Sequence, residues 1–188
     1  MIVIGAKGLA KEIIEILKEL DYLEQSIFFD DLPINKEKFV YGKFPIMKSE
    51  EELLKAFTND QRFTIAIGDP KKRKEFYLRL SSLGGVFTST ISKAAKLGSF
   101  DVEIKEGCNI MHNASVANGC RIGKGVLLYH NVQVTHDCII GDFSTMAPGA
   151  VLLGNAIVGS GSQIGANATI LPNVKVGNNV IVGAGAVV

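Results

Sequence analysis

From Ile104 to Val188 every sixth residue is Ile, Leu, Val or Met, fifteen times in succession without an insertion. Neither the period of a helix nor the two-residue alternation of an ordinary strand accommodates that frame. Four places after each large residue stands a smaller one, from Cys108, Ala114 and Cys120 through to Ala186, so large and small apolar side chains share one narrow interior. Three places after it comes Gly, Asn or Asp in thirteen of fourteen hexads, with Phe143 the exception. These residue types adopt a left-handed backbone at least cost. Each hexad therefore predicts a short strand and a bend, and the strands must stack to bury their apolar edge.

This frame is the hexapeptide repeat, and residues 104–188 resemble the left-handed parallel β-helix of the hexapeptide acyltransferases. The resemblance implies that three hexads close one triangular coil, so that residues eighteen apart lie one above the other.

The 188 residues and their 47% apolar content allow one large or two small domains with a real core. Twenty basic residues against nineteen acidic leave almost no net charge, which argues against a nucleic acid or an anionic membrane surface as partner. The run Lys71-Lys72-Arg73-Lys74 reads as a solvated helix start. Met1 leads straight into Ile2-Val3-Ile4, with no secretory leader and no apolar run long enough to span a bilayer, so a cytoplasmic location is expected. Cys108, Cys120 and Cys138 all take the small interior slot, as reduced core residues with neither a disulfide framework nor a metal site.

Residues 1–91 follow different periodicities and read as a separate α/β domain, with residues 92–188 as the coil domain. Ile2–Ile4 predicts a strand, Gly5-Ala6-Lys7-Gly8 a tight loop, and Ile13, Ile14, Ile16, Leu17 and Leu20 the apolar stripe of a helix. A second strand over Ile27–Phe29 ends in Asp30 and Asp31. That is the layout of a nucleotide-binding half-Rossmann fold: glycines admit a phosphate to the helix N-terminus, and an acid ending the second strand can accept bonds from ribose hydroxyls. The glycines alone fit a purely structural turn equally well. Further strands are expected at Phe63–Ile67, ending in Gly68-Asp69-Pro70, and at Val86–Thr90, with a helix from there to about Leu83 between them. Ser92–Phe100 reads as a linker, and the coils are expected from Asp101. Only one mononucleotide-sized unit fits, which suits a nucleotide-linked small molecule better than a dinucleotide.

His112, His130 and His136 occupy the third place of their hexads, an outward corner position where a polar surface residue is the default. His136 differs in its neighbours. Asp137 follows it, and Gly154 lies one coil on. Acyl transfer from a thioester needs a base for the attacking amine or hydroxyl, a group to orient that base, and a donor for the oxyanion. An imidazole can be the base, Asp137 can fix its tautomer, and the bare Gly154 can offer its N–H. Asp137 also fills the turn slot of its hexad and suits that role by itself. No Ser or Cys nucleophile is arranged for an acyl-enzyme, so direct attack is the natural mechanism.

Gly5-Ala6-Lys7-Gly8, Phe29-Asp30-Asp31, Ala66-Ile67-Gly68 and His136-Asp137-Cys138-Ile139-Ile140-Gly141-Asp142-Phe143-Ser144 together resemble the acetyl-CoA-dependent nucleotide-amino-sugar N-acetyltransferases and the related sialic acid O-acetyltransferases, over essentially the whole chain. The resemblance implies a homotrimer used in surface-glycan synthesis, with acetyl-CoA in grooves between neighbouring coils and the sugar nucleotide on the N-terminal domain. Carried over, His136 matches the catalytic base and Asp137 its acidic partner. Gly154 matches the glycine whose amide meets the acetyl carbonyl, and Thr145, Ala166 and Ala184 match positions lining the acetyl-CoA site. Gly5, Lys7, Gly8 and Leu9 fall in the substrate-phosphate loop, Asp30 and Asp31 at the nucleoside contact, and Gly68 at a further backbone contact.

The chain departs from the family pattern in three places. Leu9 stands where many members have a His that reaches the substrate, Thr145 where some have another, and the sequence ends at Val188 inside the repeat, where a covering tail is expected. Two other readings share the sequence: a trimeric sugar-nucleotide-binding scaffold without activity, and a γ-carbonic-anhydrase-like zinc enzyme using the histidines as ligands.

Overall fold

The computed structural model describes residues 1–31 and 36–188, and the chain divides into two compact units, Met1–Thr90 and Ile91–Val188. In the first, β1 (Ile2–Ile4) leads through the glycine loop into α1 (Gly8–Glu19), which returns to β2 (Ile27–Phe29). Then follow β3 (Phe39–Val40), β4 (Phe44–Met47), α2 (Glu50–Phe57), β5 (Arg62–Ile65), α3 (Pro70–Ser82) and β6 (Val86–Phe87). The sheet order is β3-β4-β2-β1-β5-β6, parallel except for the β3–β4 pair. β1 is buried along its whole length, as a central parallel strand must be. α1 buries Leu9, Ala10, Ile13, Ile14, Ile16 and Leu17, the stripe expected of it.

The second unit is a left-handed parallel β-helix of sixteen two-residue strands, from β7 (Thr90–Ile91), where the chain passes into it, to β22 (Ile181–Val182). They stack as three parallel sheets: one runs from β7 to β22 by way of Asn109–Ile110, Leu127–Leu128, Thr145–Met146 and Gln163–Ile164, one from Lys96–Leu97 to Thr169–Ile170, and one from Glu103–Ile104 to Lys175–Val176. Residues eighteen apart pair along each face, as Ile104 with Ile122 and Ile122 with Ile140. The large and small members of the hexads form one continuous core from Cys108 to Val182. All three cysteines are buried and unbridged, each thiol donating to a backbone carbonyl. The Cys120 sulfur beside it, together with burial, pushes the Cys138 thiol up.

Every one of the fourteen turn slots adopts a left-handed backbone, Phe143 included at φ 58°. There the frame overrides residue preference, with the Phe143 ring buried and its N–H donated to Lys124 O at 2.7 Å.

Two expectations need correcting. Ser92–Phe100 is no linker: β8 (Lys96–Leu97) pairs in parallel with Ser115–Val116, so these residues are already part of the first coil. Nor is Lys71–Lys74 wholly solvated. Arg73 is fully buried, its Nη1 donating to Ile67 O at 3.1 Å and Gly68 O at 2.7 Å.

Candidate active site

In the N-terminal unit the chain builds outward from β1 through β2 to β4 and then returns to β5 on the other side of β1. The loops leaving the C-terminal ends of β1 and β5 therefore diverge, and such a switch point is where open α/β sheets take ligands. Gly5 is at φ +100°, donates its N–H to Phe29 O at 2.7 Å, and would drive a Cβ to within 2.8 Å of Ala66 O. No other residue lets the two loops approach so closely. Gly8 and Gly68 both have open space where a side chain would stand. α2 is closed by a Ser49–Glu52 capping box and α3 by Asp69, which accepts from the N–H groups of Lys71 and Lys72. α1 has no side-chain cap and no acid in its first turn, leaving its positive end for an anion.

The remaining N-terminal candidates divide. Lys7 is exposed at the N-cap of α1. The Leu9 side chain is buried in the core of this unit, so only its backbone is available to a ligand. Asp30 is buried, with its N–H bonded to Met47 O. Asp31 is ion-paired to Arg79 at 2.9 Å, and Arg79 also holds Glu50 at 2.9 Å.

On the β-helix, His136 and Asp137 form the turn between β14 (Gln133–Val134) and β15 (Ile139–Ile140). His136 Nδ1 and Asp137 Oδ2 are 2.8 Å apart, and both side chains are more than half exposed. One coil on, the imidazole lies over Gly154, where a Cβ would meet Cε1 at 2.6 Å and Nε2 at 2.7 Å. One coil back, Asp137 Oδ1 occupies the space a side chain on Gly119 would need. The three groups that acyl transfer requires thus converge on one edge of the prism. Gly154 carries a further signature: of the fourteen third-place residues it alone is buried, and its N–H has no partner among the described residues.

His112 and His130 stack at 5.5 Å and 15° on a different edge, which Pro148, Ala166 and Ala184 continue at eighteen-residue spacing. Thr145 is buried in β16 (Thr145–Met146), between Leu127 and Gln163 of the neighbouring strands. Within the chain the three positions matched to acetyl-CoA therefore do not gather on the His136 edge.

Residues 1–80 match the PglD N-terminal domain, and residues 119–154 and 155–188 each match the bacterial transferase hexapeptide (six repeats). The acetyltransferase domain of PglB from Neisseria gonorrhoeae, solved in complex with acetyl coenzyme A, is 30% identical, with a TM-score of 0.90 over 100% of this chain and 89% of that one. The chain belongs to the hexapeptide-repeat acetyltransferases. A mutant of perosamine N-acetyltransferase from Caulobacter crescentus, in complex with CoA and GDP-perosamine, is 26% identical over 100% of this chain and 87% of that one, with a TM-score of 0.92. WeeI from Acinetobacter baumannii is 29% identical over 100% of this chain and 90% of that one, with a TM-score of 0.90. Among curated proteins none matches in sequence.

In this acetyltransferase, sequence reasoning missed Gly119 as a site residue, although the signal was present: a glycine rather than Asn or Asp in the turn slot eighteen places before Asp137. It missed Arg79 and Arg73 because both sit inside ordinary-looking helical charge runs. Among the described residues no helix is long and apolar enough to cross a membrane.

Proposed function

We propose that this enzyme transfers the acetyl group of acetyl-CoA to the amino group of a nucleotide-linked amino sugar, in the synthesis of surface glycans. The observation that carries the reading is the convergence of the His136 imidazole, the Asp137 carboxylate and the buried, unpaired Gly154 amide on one edge of the coil. The Neisseria and Caulobacter relatives were solved with acetyl coenzyme A, and with CoA and GDP-perosamine, respectively. Two of the Caulobacter structures are histidine mutants, to Asn and to Ala, each holding CoA and the sugar nucleotide.

In the mechanism, Asp137 accepts the Nδ1–H of His136 and so holds the tautomer with a lone pair on Nε2. The sugar amine attacks the thioester carbonyl as Nε2 takes its proton, the oxyanion of the tetrahedral intermediate accepts the Gly154 N–H, and the C–S bond breaks. His136 returns the proton to the departing CoA thiolate, which leaves the amide. The first turn of α1 and the Gly68 loop hold the phosphates and nucleoside of the sugar nucleotide through backbone groups, with Lys7 beside them. A homotrimer brings the His136 edge of one protomer against the Ala166–Ala184 edge of the next, which explains why one protomer alone does not gather both sets.

A thiol-release screen of acetyl-CoA with UDP-, dTDP-, GDP- and CMP-linked amino sugars tests this. Turnover with one of them, falling on the order of a hundredfold or more in His136→Ala, is the expected result. A panel without turnover above background, or a His136→Ala variant as fast as the parent, refutes it.

A further inference from the structure

Three Asn or Asp residues stand in the third place of a hexad, and all three do the same thing. Asn118 Oδ1 accepts the Phe100 N–H at 3.1 Å, Asp142 Oδ1 the Lys124 N–H at 2.8 Å, and Asn178 Oδ1 the Ser160 N–H at 2.8 Å. In each case the acceptor lies eighteen residues after the donor. The outward N–H of a corner is thus closed by the next coil whenever that coil supplies a short carbonyl-bearing side chain.

Eighteen residues after Gly154 comes Pro172, exposed and with no acceptor on its side chain. We infer that Pro172 is a positioning residue that acts by omission: it keeps the coil beneath Gly154 from capping the amide that meets the oxyanion. A buried N–H without a partner is rare in native structures because it forfeits hydrogen bonding to water and protein alike, and where one persists it is commonly in use. The imidazole lies over the same residue, with Nε2 2.7 Å from where a Cβ would stand, so a ligand atom that bonds the amide arrives on the residue that Nε2 faces. Proline has a second reason to be here. It precedes the left-handed Asn173 in a turn closed by the Val174 N–H on Leu171 O at 3.3 Å, a place where proline is favoured in its own right. The two roles separate by substitution, because Pro172→Ala loses the ring without adding an acceptor, whereas Pro172→Asn recreates the cap seen at Asn118, Asp142 and Asn178.

The inference rests on the acyl-transfer reading, and two measurements on the full chain keep their failures apart. Amide hydrogen exchange at Gly154, followed by NMR, is expected to slow tenfold or more in Pro172→Asn and to match the parent in Pro172→Ala. Acetyl-CoA thiol release is expected to be at least thirtyfold faster in Pro172→Ala than in Pro172→Asn, with the difference in kcat rather than in KM for acetyl-CoA, as for loss of an oxyanion donor. Unchanged exchange in Pro172→Asn overturns the inference, and so does slowed exchange with turnover equal in the two variants. A parent without turnover for any acceptor counts against the transferase reading, and the exchange result alone then decides whether Pro172 governs the amide.

Discussion

Asp137 divides its carboxylate between two coils: Oδ2 holds His136 Nδ1 at 2.8 Å, while Oδ1 rests over the α-carbon of Gly119, eighteen residues earlier. The second contact is a structural habit of the coil, repeated where Asn167 Oδ1 rests over Gly149 and Asn179 Oδ1 over Gly161. At Asp137 alone the same carboxylate also holds an imidazole, the pair proposed to carry the proton transfer. Gly119→Ala and Gly149→Ala should both lose stability, on the order of 1 kcal/mol or more, because both positions have positive φ and each new Cβ collides with the side chain above. Only Gly119→Ala should also lose turnover, on the order of tenfold to a hundredfold. Thiol release and thermal unfolding on the two variants check this, and equal turnover in both would remove the role given to Gly119.

Gly154→Ala separates the imidazole's place from the fold. The backbone at Gly154 is not left-handed, so alanine is tolerated there, and the obstacle is the end of the His136 side chain at 2.6 to 2.7 Å from the new Cβ. That ring can swing into solvent at little cost in stability. The expected outcome is a melting temperature within a few degrees of the parent, since the only obstacle is a side chain that is more than half exposed and free to move, together with a loss of turnover on the order of a hundredfold. Retained activity would mean that the imidazole need not lie over this coil.

What could be read from the sequence followed from strict periodicity. The interior from Cys108 to Val182 and the meeting of His136 with Gly154 both follow from counting by six and by eighteen. The first coil escaped because Leu97 pairs with Val116, nineteen positions on, so an extra residue before Ile104 breaks the count. The stretch from Phe39 to Phe57 escaped for another reason. β3, β4 and α2 are short, and α2 shows its start only through the Ser49–Glu52 capping box. Leu9 and Asp31 were legible as residues close to the strand ends, but their side-chain commitments, to the core and to Arg79, depend on tertiary packing that no local pattern reports.

Acid should weaken the N-terminal unit through Asp60. Its carboxylate accepts from Arg62 Nε at 3.0 Å and Nη2 at 2.8 Å, and this pairing holds it far below the ordinary carboxylate range. A group whose folded pKa is depressed contributes stability that is fully present above its unfolded pKa and is lost as pH falls toward the folded one. The contribution is therefore intact at neutral pH and declines progressively below about pH 4. Urea midpoints for the parent and Asp60→Asn should differ most at pH 7 and begin to draw together as the pH is lowered from 4 to 3. Parallel curves would show that Asp60 adds no pH-dependent stability.

Arg73 offers a test of the proposed nucleotide loop in the N-terminal unit. The buried stripe of α3 runs Pro70, Arg73, Leu80, so the guanidinium points inward and donates to the carbonyls of Ile67 and Gly68, the loop that closes one side of the crevice. Arg73→Met keeps the apolar stem and removes the donors, leaving two half-buried carbonyls without them at a cost of about 1 kcal/mol each. The loop backbone is then free to shift. KM for the sugar nucleotide should rise several-fold, while KM for acetyl-CoA, whose proposed site is on the coil, should stay within about twofold of the parent. A Lys at this position, keeping the charge but not the fork, should recover part of the stability and little of the KM. If both substrates weaken equally, or neither does, Arg73 serves the core of the N-terminal unit and not the loop.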